Sequence, residues 1–328
     1  MPSPVPGKGK CSTMLLAMLI FIGSLVVLLL SARYFTQAAE KLGFYFGLSP
    51  FAVGVFIVGI GTSLPELVSG IIAGVSGNSE IVSGNVLGAN ISNIFLIMGV
   101  MTLVSSRGIE LGSQFIQVDL HFLIGSAFLL GMMMMDGDII FAEGIFLLLA
   151  YGIYAHFIFK SGKKAKIELD EKQAPGTAVL PLKELLVVFA AGLGIYFGAH
   201  YTVQSIVDIA DLLHVPPSLI SLTVLSLGTT LPELTVGITA MRQGKQEMAV
   251  GNILGSCVFN SLIITGVVSA VSDITVPEHL IRFSLPLFGV ASVFFYLLTQ
   301  DRKITKWEGL LFLVFYGFFL TRAVTPFL

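Results

Sequence analysis

The sequence predicts an all-α polytopic membrane protein of ten transmembrane helices, arranged as two inverted five-helix repeats. Three observations carry this. The chain of 328 residues is 55% hydrophobic and 12% charged, about half the charged share of a soluble domain. Its apolar residues fall into ten runs of membrane-spanning length. Residues 61–100 also align without a gap on residues 228–267, with 19 identities in 40 positions.

The ten runs lie at 13–40, 49–77, 80–105, 114–135, 138–160, 183–212, 216–242, 246–271, 280–300 and 304–326. About 20 apolar residues in a helix cross a bilayer, and polar or charged residues punctuate each boundary. Lys8 and Lys10 before the first run also resemble the opening of a secretory signal peptide. The run is long for that, no A-x-A site follows, and the segment takes part in the repeat, so it reads as the first span. The one long hydrophilic stretch, KSGKKAKIELDEKQAPGT at 160–177, reads as a solvated linker. The chain thus divides into a first repeat (1–159), a linker (160–182) and a second repeat (183–328).

Charge sets the orientation. Loops after odd-numbered spans receive 13 of the 18 Lys and Arg, Lys41, Arg107, Lys160, Arg242 and Lys303 among them. The opposite loops hold Asp136, Asp138, Asp208, Asp211, Asp273 and Glu278, with Arg282 nearby. The positive-inside rule makes the odd loops and the linker cytoplasmic and both termini extracytoplasmic. The short linker favours a prokaryotic inner membrane. A net charge of −2 gives no electrostatic case for nucleic acid. Cys11 and Cys257 are too few and too far apart for a disulfide framework or a zinc site. Cys257 reads as a small packing residue, and nothing in the chain asks for a cofactor. The chain is read as a monomer, with an oligomer left open.

The repeat offset of 167 also pairs Pro50 with Pro217, Ala32 with Ala199 and Tyr34 with Tyr201, so it reaches back into spans one and six. Five spans per copy is an odd number, which inverts the second copy in the membrane, as in many secondary transporters.

The chemistry sits at GTSLPEL (61–67) and GTTLPEL (228–234). Glu66 and Glu233 are repeat partners deep in apolar runs, where a charge costs on the order of 2.5–3.5 kcal/mol. Their spans contain no Lys or Arg at comparable depth, so a bound cation is the simplest counter-charge. Gly61 with Pro65 and Gly228 with Pro232 break the helical ladder. Irregular backbone at membrane depth is tolerated where it lines a cavity. Thr62, Ser63, Thr229 and Thr230 add hydroxyl oxygens, hard ligands suited to Ca2+ or Na+. The lack of a Cys/His cluster argues against soft metals. GNVLGANISN (84–93) and GNILGSCVFN (251–260) follow. Their paired glycines fit either a site or a plain packing seam; Asn93 and Asn260, at matched positions, read as site residues.

These residues carry a resemblance. The doubled GT[ST]LPEL motif, each copy followed by GN-x-x-G-x-x-x-x-N, resembles the alpha repeats of the sodium/calcium exchanger branch of the calcium/cation antiporter superfamily, over essentially the whole chain. The resemblance implies that broken helices two and seven, with helices three and eight, form a four-helix core, and that helices one and six are long tilted gates. It implies Ca2+ binding by Glu66 and Glu233 with the backbone carbonyls of Thr62 and Thr229. Sodium would use Ser63, Thr230, Ser256, the two glutamates and the carbonyls of Gly59 and Ser226, and Asn93 and Asn260 would line the middle. Two departures stand out. Ala89 occupies the place of a serine that the second repeat keeps as Ser256. Asn260 stands where potassium-dependent relatives often have aspartate, which argues against potassium co-transport.

The expected activity is Na+/Ca2+ antiport by alternating access; the alternative is a proton/calcium antiporter using the same glutamates. A channel has no need of a duplicated occlusion site. An intramembrane enzyme would need a nucleophile or His partner, and His121, His156, His200, His214 and His279 are scattered. The MMMM run at 132–135 reads as packing and DGD at 136–138 as a turn.

Overall fold

The computed structural model describes residues 8–45, 59–105, 108–110, 119–166, 182–242, 244 and 246–325. The start of the second expected segment (49–58, with Pro50) and linker residues 167–181 lie outside them. The described chain is helical: α1 Lys8–Tyr45, α2 Gly59–Thr62, α3 Leu64–Val75, α4 Glu80–Val104, α5 Asp119–Met134 and α6 Phe141–Lys166 in the first half. The second half holds α7 Leu182–Leu213, α8 (217–229), α9 Leu231–Arg242, α10 (246–269), α11 Leu280–Thr299 and α12 Lys306–Val324. Among the described residues seven helical stretches are long and apolar enough to cross a membrane, and shorter apolar helices cover Leu64–Val75, Leu120–Met134 and Phe141–Phe157. Helix α6 continues through Lys166, past the expected linker start at 160. A helix already satisfies its own backbone groups, so it can carry the basic run KSGKKAK beyond the apolar stretch.

Burial separates a centre from a periphery. The apolar stretch of α4 is 83% buried and that of Ala249–Ser269 in α10 is 72% buried, against 22% for α1 and for α7. Helices α1 and α7 pack along one another and turn Leu15, Leu19, Ile22, Leu186, Phe189 and Tyr196 outward. So large an apolar surface is suited to lipid. Their crossing is tight: a Cβ on Gly198 would meet the Leu28 amide nitrogen at 2.7 Å, and the Thr202 and Ser24 hydroxyls meet at 2.9 Å. Lys41 near the end of α1 pairs with Glu184 at the start of α7 at 3.5 Å, as an antiparallel arrangement requires.

Small residues set the central helices close together. A Cβ on Gly84 would fall on the Ser218 carbonyl and the Ser221 hydroxyl, and one on Gly88 on the Leu222 carbonyl and the Ser226 hydroxyl. These two glycines are therefore the seam between α4 and α8. Gly99 and Gly309 bring α4 against α12, and Gly266, 167 residues after Gly99, meets Gly144 of α6. Phe95, Phe294, Phe312 and Phe315 fill the space between α4, α11 and α12.

Two short antiparallel ladders tie the helix ends. Strand β1 (Ile109–Glu110) pairs with β4 (Lys303–Ile304), and β2 (Asp138–Ile139) with β3 (Ile274–Thr275). In the numbering of the ten expected spans, each ladder joins loops of one parity, odd with odd and even with even. DGD is a turn into β2, with Gly137 at φ 104° and its carbonyl accepting from the Val276 amide at 2.7 Å. Thr305 and Glu308 form a reciprocal capping box that starts α12.

Candidate functional site

The two LPEL motifs are helix restarts. Ser63 (φ −94°, ψ 8°) separates α2 from α3, and Thr230 (φ −84°, ψ 0°) separates α8 from α9. Both sit in the sparsely populated bridge region. The proline that follows has no N–H to give to the carbonyl four residues back, Gly61 or Gly228, and a fixed φ suits it to a first turn. Glu66 and Glu233 then fall in the first turns of the new helices, where the helix dipole favours an anion. The same seven residues thus break the span, restart it and place a carboxylate at the restart.

Both carboxylates are buried, each residue 1% exposed, and near enough to repel one another. Among the described residues the ion pairs lie at helix ends, Lys41–Glu184 and Arg282–Glu278, or across the β1–β4 ladder, Lys303–Glu110, and none reaches them. Both oxygens of Glu66 and Oε2 of Glu233 are buried without a hydrogen-bond partner. Burying an anion in this state is costly unless a cation compensates it.

The surroundings of the two differ. Around Glu233 the Ser63 hydroxyl lies 3.4 Å from Oε1, the Ser256 hydroxyl is also 3.4 Å away, and the two hydroxyls are 3.4 Å apart. Thr62 also reaches Glu233. Around Glu66 the Thr229 hydroxyl is close, but it lies 3.1 Å from the Leu225 carbonyl within its own helix. The Thr230 hydroxyl donates to the Ser226 carbonyl at 2.9 Å. That carbonyl also accepts the Thr230 amide at 3.1 Å, so in this conformation it is engaged within its own helix. The Ser226 hydroxyl is turned to Leu222. Gly59 opens α2. Ala89, buried at the counterpart of Ser256, has no hydroxyl to offer.

Asn93 and Asn260 are buried on α4 and α10. The helix widens to π geometry at both, over Ser92–Ile97 and Asn260–Ile264; such bulges recur at functional sites. Both amide atoms of Asn93 and Oδ1 of Asn260 are without hydrogen-bond partners. The Cys257 thiol lies against Asn93. Two features escape the sequence. Asn90 bridges Asn260 and Ser261 across the two halves, which residue spacing cannot reveal. The π-turns are the second, and both begin at or next to the matched asparagines. Three or more His, Cys, Asp or Glu side chains do not cluster anywhere among the described residues. The arrangement is two carboxylates with hydroxyls and amides, a hard-oxygen set suited to Ca2+ or Na+.

Comparison with known proteins gives the chain a family. A model of the sodium/calcium exchanger protein family matches residues 16–160 and 183–325. The chain is 29% identical to Sodium/calcium exchanger MaX1 of Methanosarcina acetivorans, covering 92% of this chain and 97% of the relative. It is 29% identical to inner membrane protein YrbG of Escherichia coli, covering 95% and 97%. Among solved structures, the sodium-calcium exchanger NCX_Mj soaked with 10 mM Na+ superposes with a TM-score of 0.64 at 25% identity, over 93% of this chain and 98% of that one. The H+/Ca2+ exchanger CAX shares the fold, with a TM-score of 0.75 at 17% identity over 93% and 81%. With two family-matched segments that together span most of the sequence, this multi-pass membrane chain belongs to the sodium/calcium exchanger family, a family of transporters and not of enzymes.

Proposed function

We propose that the protein is a secondary antiporter that exchanges Na+ for Ca2+ by alternating access at one mid-membrane site. The single observation that carries this is the pair of buried carboxylates, Glu66 and Glu233, within electrostatic reach of one another, with no ion pair to a cationic side chain among the described residues and with oxygens left unbonded. Two ionised glutamates are neutralised equally by one Ca2+ or by two Na+, so the ions compete for the same oxygens. A neutralised site can be occluded in a low-dielectric interior, whereas a bare pair of anions resists it. That difference couples the two fluxes.

Calcium is held by both glutamates with the carbonyls of Thr62 and Thr229. Sodium uses Ser63, Thr230, Ser256 and the carbonyls of Gly59 and Ser226, with Asn93 and Asn260 lining the middle. The Ser226 carbonyl becomes a ligand only when the Thr230 hydroxyl turns away from it. Helices α1 and α7, peripheral and crossing at small residues, are the gates.

The wider architecture is ten spans in two inverted repeats, divided by the linker at 160–182, with both termini extracytoplasmic in a prokaryotic inner membrane. The matched helix breaks at Ser63 and Thr230, the matched π-turns and the Gly99–Gly309 and Gly266–Gly144 crossings support that reading.

The test is Na+-gradient-driven uptake of radiolabelled Ca2+ into vesicles by Glu66→Gln and Glu233→Gln. Each removes one of the two charges, and flux falls to background. Exchange at the wild-type level in either variant contradicts the assignment.

A further inference from the structure

Asn90 is fully buried one residue after Ala89 and belongs to none of the ligand sets above. Its Nδ2 donates to the Ser261 hydroxyl at 2.9 Å, and its Oδ1 accepts from Asn260 Nδ2 at 3.3 Å. Asn260 therefore spends its donor side on Asn90. Its Oδ1 is left buried without a hydrogen-bond partner. Asn260 follows Ser256 by four residues, which puts the two on one face of α10, and the Ser256 hydroxyl is 3.4 Å from Glu233.

An amide is a neutral cation ligand only through its oxygen. Flipped, the same side chain would present an NH2 group, which repels a cation. Which end of Asn260 faces the site is thus a question of selectivity, and Asn90 is the side chain that holds one end. Asn93, the counterpart of Asn260, is not held in this way. Cys257, 167 residues after Asn90, touches Asn93 with a thiol, and a thiol is only a weak donor and acceptor. Both amide atoms of Asn93 remain unbonded.

We infer that Asn90 is a positioning residue: it fixes the Asn260 amide with its carbonyl oxygen toward the cation site, so that this asparagine serves the transported ion as a neutral ligand. The inference rests on the reading that Asn260 lines the site.

Asn90→Leu keeps the volume and removes both hydrogen bonds. The measurement is the half-saturating concentration of Na+ and of Ca2+ in vesicle flux, alone and in an Asn260→Asp background. In the wild-type background the half-saturation rises by about tenfold, the order expected for a misdirected buried polar group, while maximal flux changes far less. In the Asn260→Asp background the effect disappears, because both ends of a carboxylate are oxygen. An unchanged half-saturation in Asn90→Leu overturns the proposal, and so does an equal rise in both backgrounds, which marks a merely structural role. Asn260→Leu separates the two levels. If it leaves both half-saturations unchanged, the reading of Asn260 as a ligand fails; if it raises them while Asn90→Leu does not, only the positioning role fails. Should Asn90→Leu not fold, Asn90→Ser takes its place in the same comparison.

Discussion

The Ser63 hydroxyl lies 3.4 Å from Oε1 of Glu233, a carboxylate 170 residues away in the chain. The hydroxyl of one motif attends the glutamate of the other, and Ser256 closes a triangle with them. The mirror triangle of Thr230, Glu66 and Ala89 cannot form, because the Ala89 side chain has no oxygen and the Thr230 hydroxyl turns back to its own helix. The two halves of the site are therefore chemically unequal although the glutamates match.

That inequality predicts a sodium phenotype. Ser63→Ala and Ser256→Ala each raise the half-saturating Na+ concentration by about fivefold to tenfold, the net worth of one ordinary hydrogen bond, and disturb Ca2+ less. Because the two hydroxyls touch the same oxygen, the double variant is less than additive. Additive losses in Na+ titrations of Ca2+ flux would show that they act separately.

Ala89→Ser restores the missing hydroxyl. It lowers the half-saturating Na+ concentration severalfold in the same titration, since it adds a hydroxyl at the position whose repeat counterpart, Ser256, lies 3.4 Å from Glu233. No shift, or a shift confined to Ca2+, contradicts the comparison of the two triangles.

Close approach at Gly88 gives a stability prediction. A Cβ there would strike the Leu222 backbone carbonyl, which cannot move without the helix. Gly88→Ala lowers stability by about 1–3 kcal/mol, read as a lower melting temperature in detergent. Gly125→Ala, where a Cβ meets nothing within 4 Å, is tolerated.

A pH effect follows from His279, which sits outside the spans, 3.5 Å from the Ser218 hydroxyl. Burial lowers its pKa from the ordinary histidine value, and the nearby Glu80 carboxylate offsets part of this. The unfolded chain then binds the proton more readily than the folded one. The contribution of the neutral ring is complete above the unfolded value, about 6.5, and is lost as pH falls through the folded one. The melting temperature of the wild type therefore drops between about pH 7 and pH 5, and His279→Gln drops less. Equal drops in both would remove His279 from the account.

Much of this was legible in the sequence because membrane helices carry their signals locally. The apolar runs, the proline breaks and the buried glutamates are all properties of a segment or of its repeat partner. The glycines of GN-x-x-G left two readings open, and Gly84 and Gly88 turned out to face the backbone of α8. Which hydroxyl attends which carboxylate was not legible, since Ser63 meets Glu233 only once the halves interlock. Asn90 was hidden for the same reason: its two partners, Asn260 and Ser261, are 170 and 171 residues away. The extension of α6 to Lys166 was missed because apolar content marks where lipid ends, not where a helix ends.

The central claim is coupling of Ca2+ movement to Na+. The most direct test is radiolabelled Ca2+ uptake into vesicles of the purified protein, with Na+, K+ and pH gradients imposed one at a time. Uptake driven by the Na+ gradient alone, with no need for K+ and little response to a pH gradient, is the predicted result. Uptake driven by the pH gradient without Na+ would contradict it and make the protein a proton/calcium antiporter.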